Sequence, residues 1–320
     1  MNRHERRAAK ATAKTDAGKP RALAVLHAAI LKETLAGRYL EALSRCREAL
    51  ALDADNADTQ HLVGAVHLEA KQGELAVEWI SRAVGRNPKP EFLSTLGLAL
   101  SSLGRHDDAL AAFDQALQQR PGDAQLWWQK GNAFLATGYS LEALRCFEQT
   151  FRLNPRHADA AYRCGHILHG MRRFDDALSR LDRSVELAPG QAATLQLRAL
   201  VLKELNRCEE ALADNLRAAQ LDPGNADVWG NLGAILRTLG RTEQALSAFD
   251  RALQLRPDIP RTITNKASAL AELGRLDEAM AAYRRAIAID SAFAEAAWNL
   301  ALLQLLLGDF ESGWKGREVR

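Results

Sequence analysis

The stretch AQLWWQKGNAFLATGYSLEALRCFEQTFRLNPRH, residues 124–157, decides the fold. Leu126, Trp127, Phe134 and Leu135 recur at the spacing of one helix face. Gly138 breaks that helix. Leu141, Leu144, Phe147 and Phe151 then supply a second apolar stripe, and Pro155 stops it. One such hairpin cannot bury its apolar face alone. It is not alone. Pro falls at 88, 121, 155, 189, 223 and 257, with spacings of 33 and then 34 throughout. A second marker, Ala42, Ala76, Ala109, Ala143, Ala177, Ala211, Ala245 and Ala279, keeps the same period. Two independent markers on one period imply stacked helical hairpins with a continuous core.

Composition agrees. A chain of 320 residues exceeds what one compact core usually serves, so two domains or a non-globular stack are expected. Hydrophobic residues are 47% and charged residues 26%, ordinary for a soluble fold. Aromatics are only 6%, while Ala and Leu, strong helix formers, are abundant. An all-α protein is expected and a β-sandwich nearly excluded.

Net charge is +2, unevenly spread. Residues 1–21 carry seven Lys and Arg against Glu5 and Asp16, a net +5, which leaves −3 for the rest. That body gives no electrostatic case for nucleic acid. Arg3 to Lys14 has no apolar face to dock, so residues 1–21 read as a basic flexible tail and 22–320 as the array. No run of 18 apolar residues occurs, so no membrane span is expected. The apolar segment Ala22–Leu31 is short, broken by His27 and followed by charge, which argues against export and for the cytoplasm. Cys46, Cys146, Cys164 and Cys208 form no C-x-x-C and read as reduced packing thiols.

Small residues have a steric role. Gly64, Gly97, Gly131, Gly165 and Gly233 hold the eighth place of their repeats, and Ala199 and Ala267 hold it in two others. They let paired helices approach closely, and a large side chain there would overpack the contact. Ile30 stands at this place in the first repeat, Lys71 replaces a turn glycine in the second, and Asn215 replaces a bulky aromatic in the sixth.

At these residues the sequence resembles the tetratricopeptide repeat (TPR) family. In 226–259, Trp229, Leu232, Gly233, Gly240, Ala245, Phe249, Ala252 and Pro257 stand where that family's pattern has them. The resemblance implies a right-handed superhelical solenoid of TPR helical hairpins with about seventeen helices. The repeats are 23–56, 57–89, 90–123, 124–157, 158–191, 192–225, 226–259 and 260–293, with a partial ninth at 294–320. The last repeat ends in an apolar block, Leu302, Leu303, Leu305, Leu306 and Leu307, where terminal repeats are usually polar. Self-association or a following domain is therefore expected. LLLGDFESGWK, 305–315, resembles the junction in bacterial proteins where a TPR array precedes an O-GlcNAc transferase-like glycosyltransferase domain.

No catalytic constellation is present: no nucleotide-binding glycine loop, no G-x-S-x-G, no H-E-x-x-H. His166 and His169 lie three apart, but no third ligand is indicated, so neither metal nor cofactor is expected. Asp107, Asp108, Asp175 and Asp176 open second helices, where negative charge is favoured. A surface remains. The resemblance puts the second, fifth, sixth, ninth, twelfth and thirteenth residues of each repeat in a concave groove. Those places give Gln125, Trp128, Gln129 and Asn132, then Tyr162, Arg163, His166 and His169, then Lys203, Asn231, Arg237, Asn265 and Asn299. Asn231, Asn265 and Asn299 share the sixth place and should stack as a ladder of amides, each offering donor and acceptor to an extended peptide backbone. The ladder resembles that of the O-GlcNAc transferase array. Trp128, Tyr162 and His166 are candidate aromatic anchors. Trp128, Ala193 and Leu197 stand where the family's carboxylate-clamp mode uses basic side chains, which argues against that mode. The expected function is a non-catalytic scaffold for an extended peptide or partner protein. The alternative is the substrate-recognition portion of a glycosyltransferase.

Overall fold

The computed structural model describes residues 3–317, with side chains over 19–315. Among them are eighteen helices and no strand. The chain divides into two compact units, Met1–Pro155 and Arg156–Arg320, each a stack of antiparallel helix pairs.

The first unit holds α1 (Arg3–Leu35), α2 (Tyr39–Leu52), α3 (Ala57–Glu69), α4 (Gly73–Arg86), α5 (Pro90–Ser102), α6 (His106–Gln119), α7 (Ala124–Ala136) and α8 (Ser140–Leu153). The second holds α9 (Ala158–Gly170), α10 (Phe174–Leu187), α11 (Ala192–Glu204), α12 (Cys208–Leu221), α13 (Ala226–Thr238), α14 (Thr242–Leu255), α15 (Pro260–Glu272), α16 (Leu276–Ile289), α17 (Ala294–Leu306) and α18 (Phe310–Arg317). The count exceeds the expected seventeen because the short α18 already pairs with α17. The α1 backbone takes in the basic segment from Arg3, whose Ala, Arg and Lys favour a helix. Pro20 lies inside α1 and has no N–H to donate to the preceding turn. The buried residues Leu23 and Ile30 follow it.

Each hairpin turn needs one left-handed residue. Gly supplies it at 37, 104, 138, 240, 274 and 308; at Gly138 φ is 81°. Lys71, Arg172 and Asn206 take the same conformation with φ near 60°, so the missing glycine at Lys71 changes the residue and not the turn. A β-carbon there costs roughly 1–2 kcal/mol.

Within each pair, the eighth residue meets the large side chain sixteen positions later. A Cβ built on Gly97 would lie 2.5 Å from the Phe113 ring, on Gly131 2.7 Å from Phe147, and on Gly233 2.5 Å from Phe249. Those three rings are fully buried. In the first repeat the sizes are exchanged: Ile30 is large, Cys46 is small, and both are buried in one cluster. In the sixth, Asn215 is fully buried and its Nδ2 donates to the Val228 carbonyl at 2.8 Å. In the eighth, Tyr283 fills the space and its hydroxyl meets Ser268 Oγ at 2.9 Å.

Polar contacts join successive repeats. Lys130 reaches Asp114 and Lys266 reaches Asp250, each at 2.5 Å. Arg198 does more: its fork binds both oxygens of Asp214 at 2.6 and 2.7 Å and it also holds Asp182 at 2.8 Å. Asp214 is buried, and the Arg198 guanidinium is held above its ordinary pKa first by that hydrogen bond. In the first unit, His61 stacks on Phe92 with centroids 4.4 Å apart and meets Thr95 Oγ1 at 2.9 Å. Desolvation pushes its pKa down to about 4, against the pull of Asp58 and Glu91.

Gly→Ala in an exposed helix normally stabilises by about 1 kcal/mol, and Gly85, with open space around its Cα, should behave so. Gly97→Ala and Gly233→Ala should instead lower stability by about 1–3 kcal/mol, the cost of overpacking; urea midpoints for the three variants compare them directly. The neutral His61 of the folded state contrasts with an unfolded imidazole that gains its proton near pH 6.5. Its contribution is therefore full above that pH and is lost as pH falls towards about 4, by roughly 3 kcal/mol. His61→Leu should melt with a shallower acid dependence than the parent over that window, and an identical dependence would refute the assignment.

Candidate functional site

The first helix of each hairpin packs against its partner and against the helices of neighbouring repeats. The residues left over face open hollows. In the first unit, a hollow of about 360 Å³ is lined by Gln125, Trp128, Gln129 and Asn132 with Leu98 and Ser101. Its polar groups are partly spent. Gln129 Oε1 accepts from Ser94 Oγ at 2.7 Å, and Asn132 Nδ2 donates to the Trp128 carbonyl at 3.0 Å. Trp128 is half-buried, with its ring tilted against Phe147 at 5.1 Å, so it serves packing as well as the hollow.

In the second unit, His169, Lys203, Asn231, Arg237 and Asn265 share a hollow of about 390 Å³. Asn299 and Arg237 line a neighbouring one of about 350 Å³ with Leu302 and Leu306. Asn231, Asn265 and Asn299 are half-buried, and their side-chain amides make no hydrogen bond to any described residue. Arg237 pairs with Glu272 at 3.2 Å, whereas Lys203 stands 3.9 Å from Glu204, a weak and solvent-screened contact. Trp128 lies in the first unit; Tyr162 and His166 lie in the second, their rings 6.2 Å apart. Desolvation lowers the His166 pKa, and the positive charge of Arg163 adds to it.

The same register, carried to every repeat, finds lining residues that the sequence reading did not single out. Arg261 and Glu295, both at the second place, line the larger hollow of the second unit. Leu31, Leu35 and Leu68 are groove places in the first unit. An aliphatic residue on a helix looks like core from sequence alone, and only the register separates the two roles.

Among the described residues no three His, Cys, Asp or Glu converge as a metal group. All four cysteines are buried, and desolvation pushes the thiols of Cys46 and Cys146 up to about 12 and about 11, which suppresses the reactive thiolate. No described helix is long and apolar enough to cross a membrane.

Family models described as tetratricopeptide repeat match residues 34–98, 94–139, 129–192 and 226–259, and one described as TPR repeat matches 267–308. The human and mouse proteins called tetratricopeptide repeat protein 28 are 37% identical over 91 residues, 28% of this chain. The match spans only 4% of those relatives' length. Among solved structures, Pseudomonas aeruginosa PilF superposes with a TM-score of 0.59 at 22% identity, over 65% of this chain and 95% of its own. YrrB, described as a TPR protein with an unusual peptide-binding site, gives 0.54 at 26% identity, over 58% and 97%. A chain of the Cut9–Hcn1 hetero-tetramer gives 0.57 at 18% identity, over 83% and 52%.

Proposed function

This chain is a tetratricopeptide repeat protein, and from that premise we propose that it is a non-catalytic scaffold holding an extended peptide or partner protein in the groove of its first helices. The observation that carries the reading is the amide series. Asn231, Asn265 and Asn299 recur every 34 residues and line hollows, and their side-chain amides have no hydrogen bond to the described protein. An unpaired amide beside a groove can take one donor and one acceptor from a passing backbone. The peptide-binding site ascribed to YrrB makes this use of the fold reasonable here. Trp128 would add a side-chain anchor in the first unit; in the second, Tyr162 would add another with His166 and His169 on the same helix, and Arg163, Lys203 and Arg237 would set that unit's groove charge. The working limits are a basic tail at 1–21 and an array over 22–320, acting in the cytoplasm.

The exposed C-terminal side chains support self-association. Leu306 is 79% and Phe310 63% exposed, with Leu307 and Trp314 beside them. A sedimentation coefficient that rises with concentration, and ceases to do so in Leu306→Ser/Trp314→Ser, is the expected result; a strictly monomeric parent would end the idea. A second reading, favoured by the 305–315 stretch, makes the chain the substrate-recognition part of a bacterial glycosyltransferase. A coding sequence that ends at Arg320 would rule it out.

The amide reading is tested with an array of labelled peptides of unrelated sequence. Asn231→Ala/Asn265→Ala/Asn299→Ala should weaken every bound peptide alike, by about tenfold or more, since each lost hydrogen bond is worth roughly 0.5–1.5 kcal/mol. Thermal melts should change little. Unaltered binding across the array would refute the ladder.

A further inference from the structure

The groove of the first unit has a different chemistry. Over the groove places of its four repeats there is no Lys or Arg, and the charged residues are Asp58, Glu69 and Glu91. Asp58 is paired with Lys89, and Glu91 with Arg120. Glu69 is exposed and has no hydrogen bond or ion pair to any described residue. It stands on the edge of a hollow of about 500 Å³ walled by Leu31, Leu35, Ala65, Leu68 and Leu98. Leu35 is 89% and Leu31 51% exposed. Clustered aliphatic surface of this kind marks an interaction site when it is rimmed by polar groups.

We propose that this hollow docks a cationic apolar segment of a partner protein. One leucine- or phenylalanine-sized side chain sits among Leu31, Leu35, Leu68 and Leu98, and a neighbouring Lys or Arg pairs with Glu69. The sign of the rim decides the occupant. A lysine or arginine stem lies along aliphatic walls while its head reaches a carboxylate, whereas an acidic segment or an anionic lipid surface meets repulsion from Glu69 and finds no cation among the residues lining the hollow. The surface lies wholly in the first unit and does not depend on the amide ladder.

The test uses the full chain and a fluorescein-labelled octapeptide, Gly-Ser-Leu-Lys-Phe-Lys-Ser-Gly, read by anisotropy. The peptide should bind, and its Lys→Glu version should not. Leu31→Ser/Leu35→Ser should weaken binding by about tenfold, the scale of one lost apolar anchor, with an unchanged melting temperature because both side chains face water. Glu69→Gln should weaken binding severalfold and remove most of its salt dependence. The triple Asn→Ala ladder variant should bind this peptide as the parent does. Failure of the peptide to bind at millimolar concentration, equal binding of the Lys→Glu peptide, or indifference to the Leu31/Leu35 and Glu69 changes would each overturn the proposal. Loss of binding in the ladder variant alone would move the peptide to the amides, overturning this site and leaving the scaffold reading intact. Concentration-dependent self-association that Leu31→Ser/Leu35→Ser abolishes would make the occupant a second copy, which also overturns it.

Discussion

The contact between a first-helix residue without a bulky side chain and the large residue sixteen positions later sets how closely the two helices of a hairpin approach. With Gly97 against Phe113 or Gly233 against Phe249, the ring of the second helix presses on the backbone of the first. Interiors are packed at crystal-like density, so the pair behaves as one volume divided between two residues. Ile30 with Cys46 divides that volume the other way, and both remain buried. The repeat period is thus the spacing at which this one contact can be renewed.

From that contact the free surface follows. Once the eighth place is committed to the partner helix, the register of the whole first helix is fixed, because helical geometry leaves no independent rotation. The second, sixth, ninth and thirteenth places then turn away from the partner helix, with the fifth and twelfth at the edge between. In the second unit they bring Lys203, Asn231, Arg237 and Asn265 around one hollow. In the first unit they bring Leu31, Leu35 and Leu68 around another. One packing rule therefore generates two grooves of different chemistry.

The period, the hairpins and the turn positions were legible because they recur: any one repeat is ambiguous, and eight in register are not. The groove register was legible for polar residues such as Asn231, since an amide on a helix asks for a reason to be there. It was not legible for Leu35, which has the same chemistry as core. Local exceptions also escaped. Nothing in the string around Arg198 says that it binds Asp182 and Asp214 on two helices at once. A lone arginine pairs with whatever the fold brings near, and that depends on coordinates and not on spacing. Asn215 was visible as a departure, but its Nδ2 hydrogen bond to the Val228 carbonyl, which pairs one end of a buried amide, was not.

The shared-volume contact is tested most directly by a double-mutant cycle at Gly233 and Phe249. Gly233→Ala, Phe249→Leu and the double variant are compared with the parent by chemical denaturation. The account requires strong coupling: the smaller leucine relieves the added methyl, so the double variant should be more stable than the sum of the single changes implies, by about 1 kcal/mol or more. Additivity within about 0.5 kcal/mol would contradict it, because the two positions would then not be dividing one space.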